Sequence, residues 1–175
     1  MAIISANNMV RGISLFHLTL AVVMLRSPAL IANQGIVLVL AQSMQLPIPR
    51  DFSKPSAATA FLAVLFAFLG LSDLTTLSLH EQIYDEYWGL QAPVRLLFLF
   101  GITGYSYTFK EGGLFGAKGA DYRASAGASL CNGLVFSWGF LEVAVWFWIY
   151  STLREERMEK AKIAAEKQAR EDKQL

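Results

Sequence analysis

One cysteine, two histidines and no Asn-x-Ser/Thr sequon put several classes of protein out of reach of this sequence. Cys131, alone inside an apolar run, can build neither a disulfide framework nor a thiolate metal site and reads as a small buried hydrophobe. His17 and His80 are too few for di-iron lipid chemistry. His80-Glu81 resembles the opening of a zinc helix, yet Tyr84 occupies the position of the second histidine, so no metal and no cofactor is expected. Neither a Ser-His-Asp order nor a Gly-x-Ser-x-Gly elbow occurs, and the expectation is a protein that is not an enzyme. A net charge of +1 with dispersed basic residues argues against nucleic acid. Acidic residues are missing before Asp51 while Arg11, Arg26 and Arg50 are present, but the segment is too apolar for a transit peptide. It reads as a retained signal-anchor.

What is present is apolar. Hydrophobic residues make up 54% of the chain and charged ones 17%, which suits a bilayer better than water. The expected fold is all-α, a polytopic transmembrane helical bundle over residues 1–153 with four spans, at about 9–25, 56–79, 93–109 and 129–153. Residues 29–46 carry Asn33, Gln34, Gln42, Ser43 and Gln45 around an apolar centre and read as spanning, re-entrant or interfacial. Three prolines between Pro47 and Pro55 break the chain there. Ala60, Ala63, Ala67 and Gly70 form a small-residue stripe that permits close helix approach.

Between Ser78 and Gln91 the sequence is acidic and aromatic and reads as an interfacial loop. Lys110 to Ser129, rich in Gly, Ala and Ser, reads as a flexible connection. Trp146, Phe147, Trp148 and Tyr150 read as one membrane boundary. Residues 154–175 are almost wholly charged residues, Ala and Gln, with Glu156 to Lys160 and Glu166 to Arg170 at favourable spacing, and predict a charged helical tail. Seven Lys or Arg in that tail place both termini in the cytosol, against six in the two loops opposite. Lys173 supplies half of a dilysine retrieval signal, a weak pointer to the endoplasmic reticulum.

Glu142 is the only charged residue between Ala124 and Leu153. A carboxylate at bilayer depth costs several kcal/mol unless it has a partner, a wet cavity or a function. Arg95, His17 and Asp73 are the other ionisable residues expected at that depth, and Arg95 is the expected partner of Glu142. A proton relay of Glu142 with His17 is the weaker reading, since a relay needs a longer chain of such groups.

Three segments, Leu38 to Pro47, Ala92 to Phe98 and Phe140 to Glu156, resemble the fungal "increased loss of mitochondrial DNA" family of small multi-pass proteins. The resemblance covers roughly residues 10–158. It implies an endoplasmic reticulum membrane protein, with a mitochondrial membrane as the alternative, and an indirect role in mitochondrial DNA maintenance. It brings no catalytic residues, and singles out Gln42, Pro47, Pro93, Arg95, Glu142, Trp148 and Arg154. The Gly- and Ala-rich stretch near Gly112 to Ser129 departs from the family's more compact loops. The resulting expectation is an accessory or assembly subunit whose partners are the lipid bilayer and another membrane protein. An ion channel or transporter, or a regulator of one, using Glu142 and Arg95 is the alternative.

Overall fold

Helix formation follows the apolar segments and stops where caps and prolines dictate. The computed structural model describes residues 4–172, and within them every side chain but those of residues 123 and 124. Seven α-helices occur among the described residues: α1 (Ala6–Arg26), α2 (Ala29–Ala32), α3 (Gly35–Ser43), α4 (Ala57–Thr76), α5 (Glu81–Thr108), α6 (Ala120–Ala124) and α7 (Gly133–Glu171). Two 3₁₀ turns, Arg50–Ser53 and Ala128–Leu130, complete the chain, and no strand is found among the described residues. Lys173, half of the retrieval signal considered above, lies outside them.

Side-chain caps fix the starts of α1, α4 and α7, whereas α5 begins at His80 without one. The Ser5 hydroxyl accepts from the Asn8 N–H at the head of α1, and Asn132 Oδ1 accepts from the N–H groups of Leu134 and Val135 at the head of α7. Ser56 and Thr59 form a reciprocal capping box on α4. After α3 the chain turns back through Gln45 at φ 54°, and the Leu46 N–H closes onto the Ala41 carbonyl.

α1, α4 and α7 are long and apolar enough to cross a membrane. A four-span bundle does not emerge from length and composition, because α5, with Arg95, Pro93 and its Gly, Thr, Ser and Tyr residues, is less apolar than the other three. The supposed loop at 78–91 is helical from Glu81, and α5 runs on through Pro93 to Thr108. Tyr84, Trp88 and Ala92 recur at helical spacing and are buried, so packing of this face outweighs the polar character of the segment. Pro93 removes one backbone N–H within α5, and Gly89, four residues earlier, leaves the space that the Arg157 guanidinium occupies. α3, at nine residues, is roughly 13 Å long and too short to cross a bilayer as one helix. α7 carries the apolar segment and the charged tail as one 39-residue helix.

The long helices associate as two pairs, α1 with α4 and α5 with α7. In the first pair Gly70 lies where any side chain would press on the Ser14 carbonyl and Leu18, while Ala63 packs with Ala21 and Met24. The small-residue stripe thus faces α1, at the close approach such residues allow. In the second pair Gly139 faces Thr103. The pairs meet along α1 and α7, where Ala6, Val10 and Ile13 share a core with Trp146, Ile149 and Leu153. At one end of this seam the Ala6 N–H donates to Glu156 Oε1 at 3.0 Å. At the other, the Gly133 N–H donates to the Pro47 carbonyl at 2.8 Å and α3 packs on α7.

Large apolar side chains also face outward: Phe68, Leu97 and Leu90 are 72%, 79% and 77% exposed. A water-facing surface does not carry such a density of them, whereas a lipid-facing one does.

Outside the apolar layers, Lys160 bridges Glu81 and Asp85, each at 2.7 Å, and so ties the tail to the start of α5. The hydrogen bond and charge of Lys160 hold the Glu81 carboxyl below its usual 4.5. Burial opposes the charge on Lys160, but its two acidic partners outweigh it and hold the ammonium above its usual 10.5. A lowered acid contributes stability above its unfolded value and loses it as pH falls; a raised base contributes below its own and loses it as pH rises. The clamp is thus complete between pH 4.5 and 10.5. At neutral pH, Lys160→Ala is expected to speed backbone amide exchange in residues 81–88 and 154–160 while leaving the melting midpoint nearly in place, because exposed pairs add little. Hydrogen exchange read by mass spectrometry checks it.

Candidate functional site

Where the two helix pairs meet, all four of the ionisable residues singled out above are held in one buried network. Asp73 sits near the end of α4 with no exposed surface. It accepts both hydrogen bonds of the Arg95 fork, at 2.7 and 2.5 Å. This bidentate geometry is the strongest an arginine and a carboxylate make. The Arg95 guanidinium also lies over the rings of Trp88 and Trp146, 5.0 and 4.6 Å from their centroids. Those two rings stack on each other at 5.0 Å. Trp88 Nε1–H donates to the Thr76 hydroxyl at 3.1 Å, one turn beyond Asp73. The cation is thereby enclosed by a carboxylate and two aromatic faces, which makes its charge tolerable away from water.

Trp146 continues the network. Its Nε1–H donates to Glu142 Oε2 at 3.0 Å, four residues back on α7. Glu142 Oε1 in turn lies 2.7 Å from His17 Nε2 on α1. His17 is fully buried and Glu142 is 4% exposed, so little water reaches the bond. Asp73, Arg95, Trp146, Glu142 and His17 form a continuous line through α4, α5, α7 and α1. Breaking one member of such a line strands a charge in a low-dielectric interior.

The expected Glu142–Arg95 pair is therefore corrected: Arg95 pairs with Asp73, and Glu142 pairs with His17. The reason is axial register. Asp85 meets Lys160 and Gly139 faces Thr103, an antiparallel alignment that sets Arg95 level with the Trp146 to Ile149 turn, past Glu142. Trp146 fills the gap between the two charges. A second correction follows, since Trp146 is 1% exposed and belongs to the core, whereas Phe147 and Trp148 face outward at 59% and 55%. Trp88, Thr76 and Trp146 were not singled out as site residues. The one available signal was spacing: Glu81, Asp85, Trp88 and Arg95 share a helical face, as do Glu142 and Trp146.

The remaining motif positions stand apart from the network. Gln42 is exposed on α3, Pro47 supplies the carbonyl that receives α7, Pro93 lies within α5, and Trp148 and Arg154 are exposed on α7. Cys131 is buried and free. No group of three or more His, Cys, Asp or Glu placed to hold a metal ion occurs among the described residues.

Beside Glu142, between α1, α4 and α7, opens a cavity of about 1130 Å³. Its walls are apolar, from residues such as Leu20, Val23, Leu62, Leu69, Leu134 and Val135, with α2 and the Arg50–Ser53 turn along its lower edge.

The sequence model of the family described as "Increased loss of mitochondrial DNA protein 1" matches residues 4–163. The chain belongs to this family. Protein ILM1 of Saccharomyces cerevisiae is 30% identical over 147 residues, which are 84% of this chain and 63% of that protein. Protein ilm1 of Schizosaccharomyces pombe is 29% identical over 171 residues, 92% of this chain and 94% of that protein. The chain thus spans less than two thirds of the budding-yeast member and nearly the whole of the fission-yeast one. No solved structure matches the chain. The family match covers α1 to α6, α7 as far as residue 163, and every member of the buried network.

Proposed function

We propose that the chain is a multi-pass membrane protein of the endoplasmic reticulum, not an enzyme, that serves as an accessory or assembly subunit and supports mitochondrial DNA maintenance indirectly. The observation that carries this reading is the pairing within the buried network, in which His17 Nδ1 is the ring nitrogen left without a partner among the described residues. Asp73, Arg95, Glu142 and His17 are taken up by one another and by tryptophans, so the ionisable groups at depth act as fasteners between helices. Chemistry on a substrate would need a group left free to react. Three helices of spanning length, together with α5 and its exposed apolar face, suit a bilayer. The family's description, which names loss of mitochondrial DNA, supports the maintenance role.

Contact with a partner is assigned to the tail. From residue 161 to 171 α7 is exposed on every side and projects beyond the packed helices. A charged helix standing free in this way offers a surface without contributing to its own core. Affinity purification in mild detergent from native membranes, followed by mass spectrometry, tests the reading. A membrane protein is expected in stoichiometric amount with the wild type and in sharply reduced amount with Lys162→Ala/Lys167→Ala/Arg170→Ala. A monodisperse monomer with no companion overturns it.

The channel or transporter reading has one observation in its favour, that Glu142 borders the cavity. Each of its oxygens holds one partner inside the protein, and the other ionisable residue on the cavity wall among the described residues is Asp51 at the lower edge. An ion path needs a row of polar groups, and the walls between these two are apolar.

A further inference from the structure

The cavity is a half-open space between the helices. Ligand cavities in proteins run to about 300–1,000 Å³, and at about 1130 Å³ this one is slightly larger. It extends along α1 from Gly12 to Met24 and along α7 from Val145 back past Glu142 to Asn132 at its N-cap. Ten residues of α7 rise by about 15 Å, half the thickness of a bilayer's hydrocarbon core. Phe16, Leu65 and Phe98 stand on its rim and are 44%, 46% and 64% exposed, so the cavity opens sideways onto the apolar surface of the helices.

The chemistry of the lining narrows the occupant. No Lys or Arg borders the cavity, and its two ionisable residues, Glu142 and Asp51, are both acidic. An anionic headgroup would meet only repulsion there. At the deep end, Trp138 stands one turn before Glu142 on the same face of α7, and both border the cavity. Trp138 Nε1–H is buried and has no acceptor among the described residues. A buried donor without a partner carries a penalty that a ligand can remove. Glu142 meanwhile uses one acceptor site on each oxygen and keeps others free. A hydroxyl group satisfies both: it accepts from Trp138 and donates to Glu142.

We propose that the cavity binds a neutral lipid bearing a hydroxyl, its hydroxyl between Trp138 and Glu142 and its hydrocarbon body along α1 and α4. A sterol and a diacylglycerol share that chemistry. The proposal rests on the membrane reading above, and the test separates the two. The full chain, reconstituted in phosphatidylcholine vesicles, is exposed to a photoactivatable, alkyne-tagged sterol or to the corresponding diacylglycerol, and labelled peptides are mapped after irradiation. Failure of the chain to float with the vesicles would refute the membrane reading. With flotation secured, labelling by one probe is expected to concentrate on residues 12–24, 62–69 and 134–145, and which probe labels names the source.

Trp138→Phe keeps the ring and removes the donor, and is expected to lower that labelling about fivefold, the worth of one neutral hydrogen bond. Val135→Trp fills the cavity from another side and is expected to lower it at least as far. Excess untagged probe lipid competes, and phosphatidylglycerol does not. Labelling spread evenly over the exposed apolar surface, or unchanged in both variants while they keep the wild-type elution volume, overturns the proposal.

Discussion

Arg95→Ala is expected to lower the melting midpoint of the purified protein by about 10 °C, from the roughly 3–5 kcal/mol that stranding one member of a buried pair costs. Asp73 would keep its burial and lose both hydrogen bonds of the fork, and the Trp88–Trp146 stack would lose its cation. Arg95→Lys is expected to recover less than half of the loss, because an ammonium can neither bridge both oxygens nor lie flat on a ring. Tryptophan emission supplies an independent reading. As water enters beside Trp88 and Trp146, the spectrum is expected to shift to the red in Arg95→Ala before any unfolding. Wild-type stability and an unshifted spectrum in Arg95→Ala would remove Arg95 from the centre of the fold. Asp73→Asn/Arg95→Gln, which leaves no charge unpaired, is expected to be more stable than Arg95→Ala.

The helical class and the depth of the ionisable residues were legible because they depend on composition along one strand of chain. Glu142 stands out against its uncharged neighbours in any reading of that segment. Its partner was not legible, because pairing depends on how far α5 slides along α7, and that slide is set by contacts such as Thr103 on Gly139 that no local pattern encodes. The same applies to Trp146. Its place in the Trp-Phe-Trp run suggests a boundary, and only the facing Trp88 and Arg95 make it a core residue. The acidic, aromatic segment from Glu81 was misread for a different reason. Glu81 and Asp85 share one face with Tyr84, Trp88 and Ala92, and that face lies against α7, the acids on Lys160 of the tail and the apolar residues on Trp146, Ile149 and Leu153. The long helix through Pro93 is then a product of packing that outweighs the local signal of a loop.

The two ion pairs do different jobs, and the second expected result separates them. Asp73–Arg95 joins α4 to α5, whereas His17–Glu142 joins α1 to α7 across the seam between the helix pairs. Either a neutral imidazole donating to the carboxylate or an imidazolium facing it satisfies the 2.7 Å contact. Glu142→Leu leaves His17 Nε2 and Trp146 Nε1–H without an acceptor, and His17→Phe leaves the carboxylate with Trp146 alone. Each single change is expected to lower the melting midpoint by about 10 °C. His17→Phe/Glu142→Leu removes both polar partners and fills the space with apolar atoms, so the double variant is expected to regain most of that loss. A double-mutant cycle measures the difference, and purely additive losses would sink the idea that the two residues act as one fastener. Arg95→Ala combined with Glu142→Leu supplies the control across Trp146. Because Trp146 touches both charges, its cycle is expected to show coupling too, smaller than that of the direct pair, as a line of partners transmits less than a shared bond.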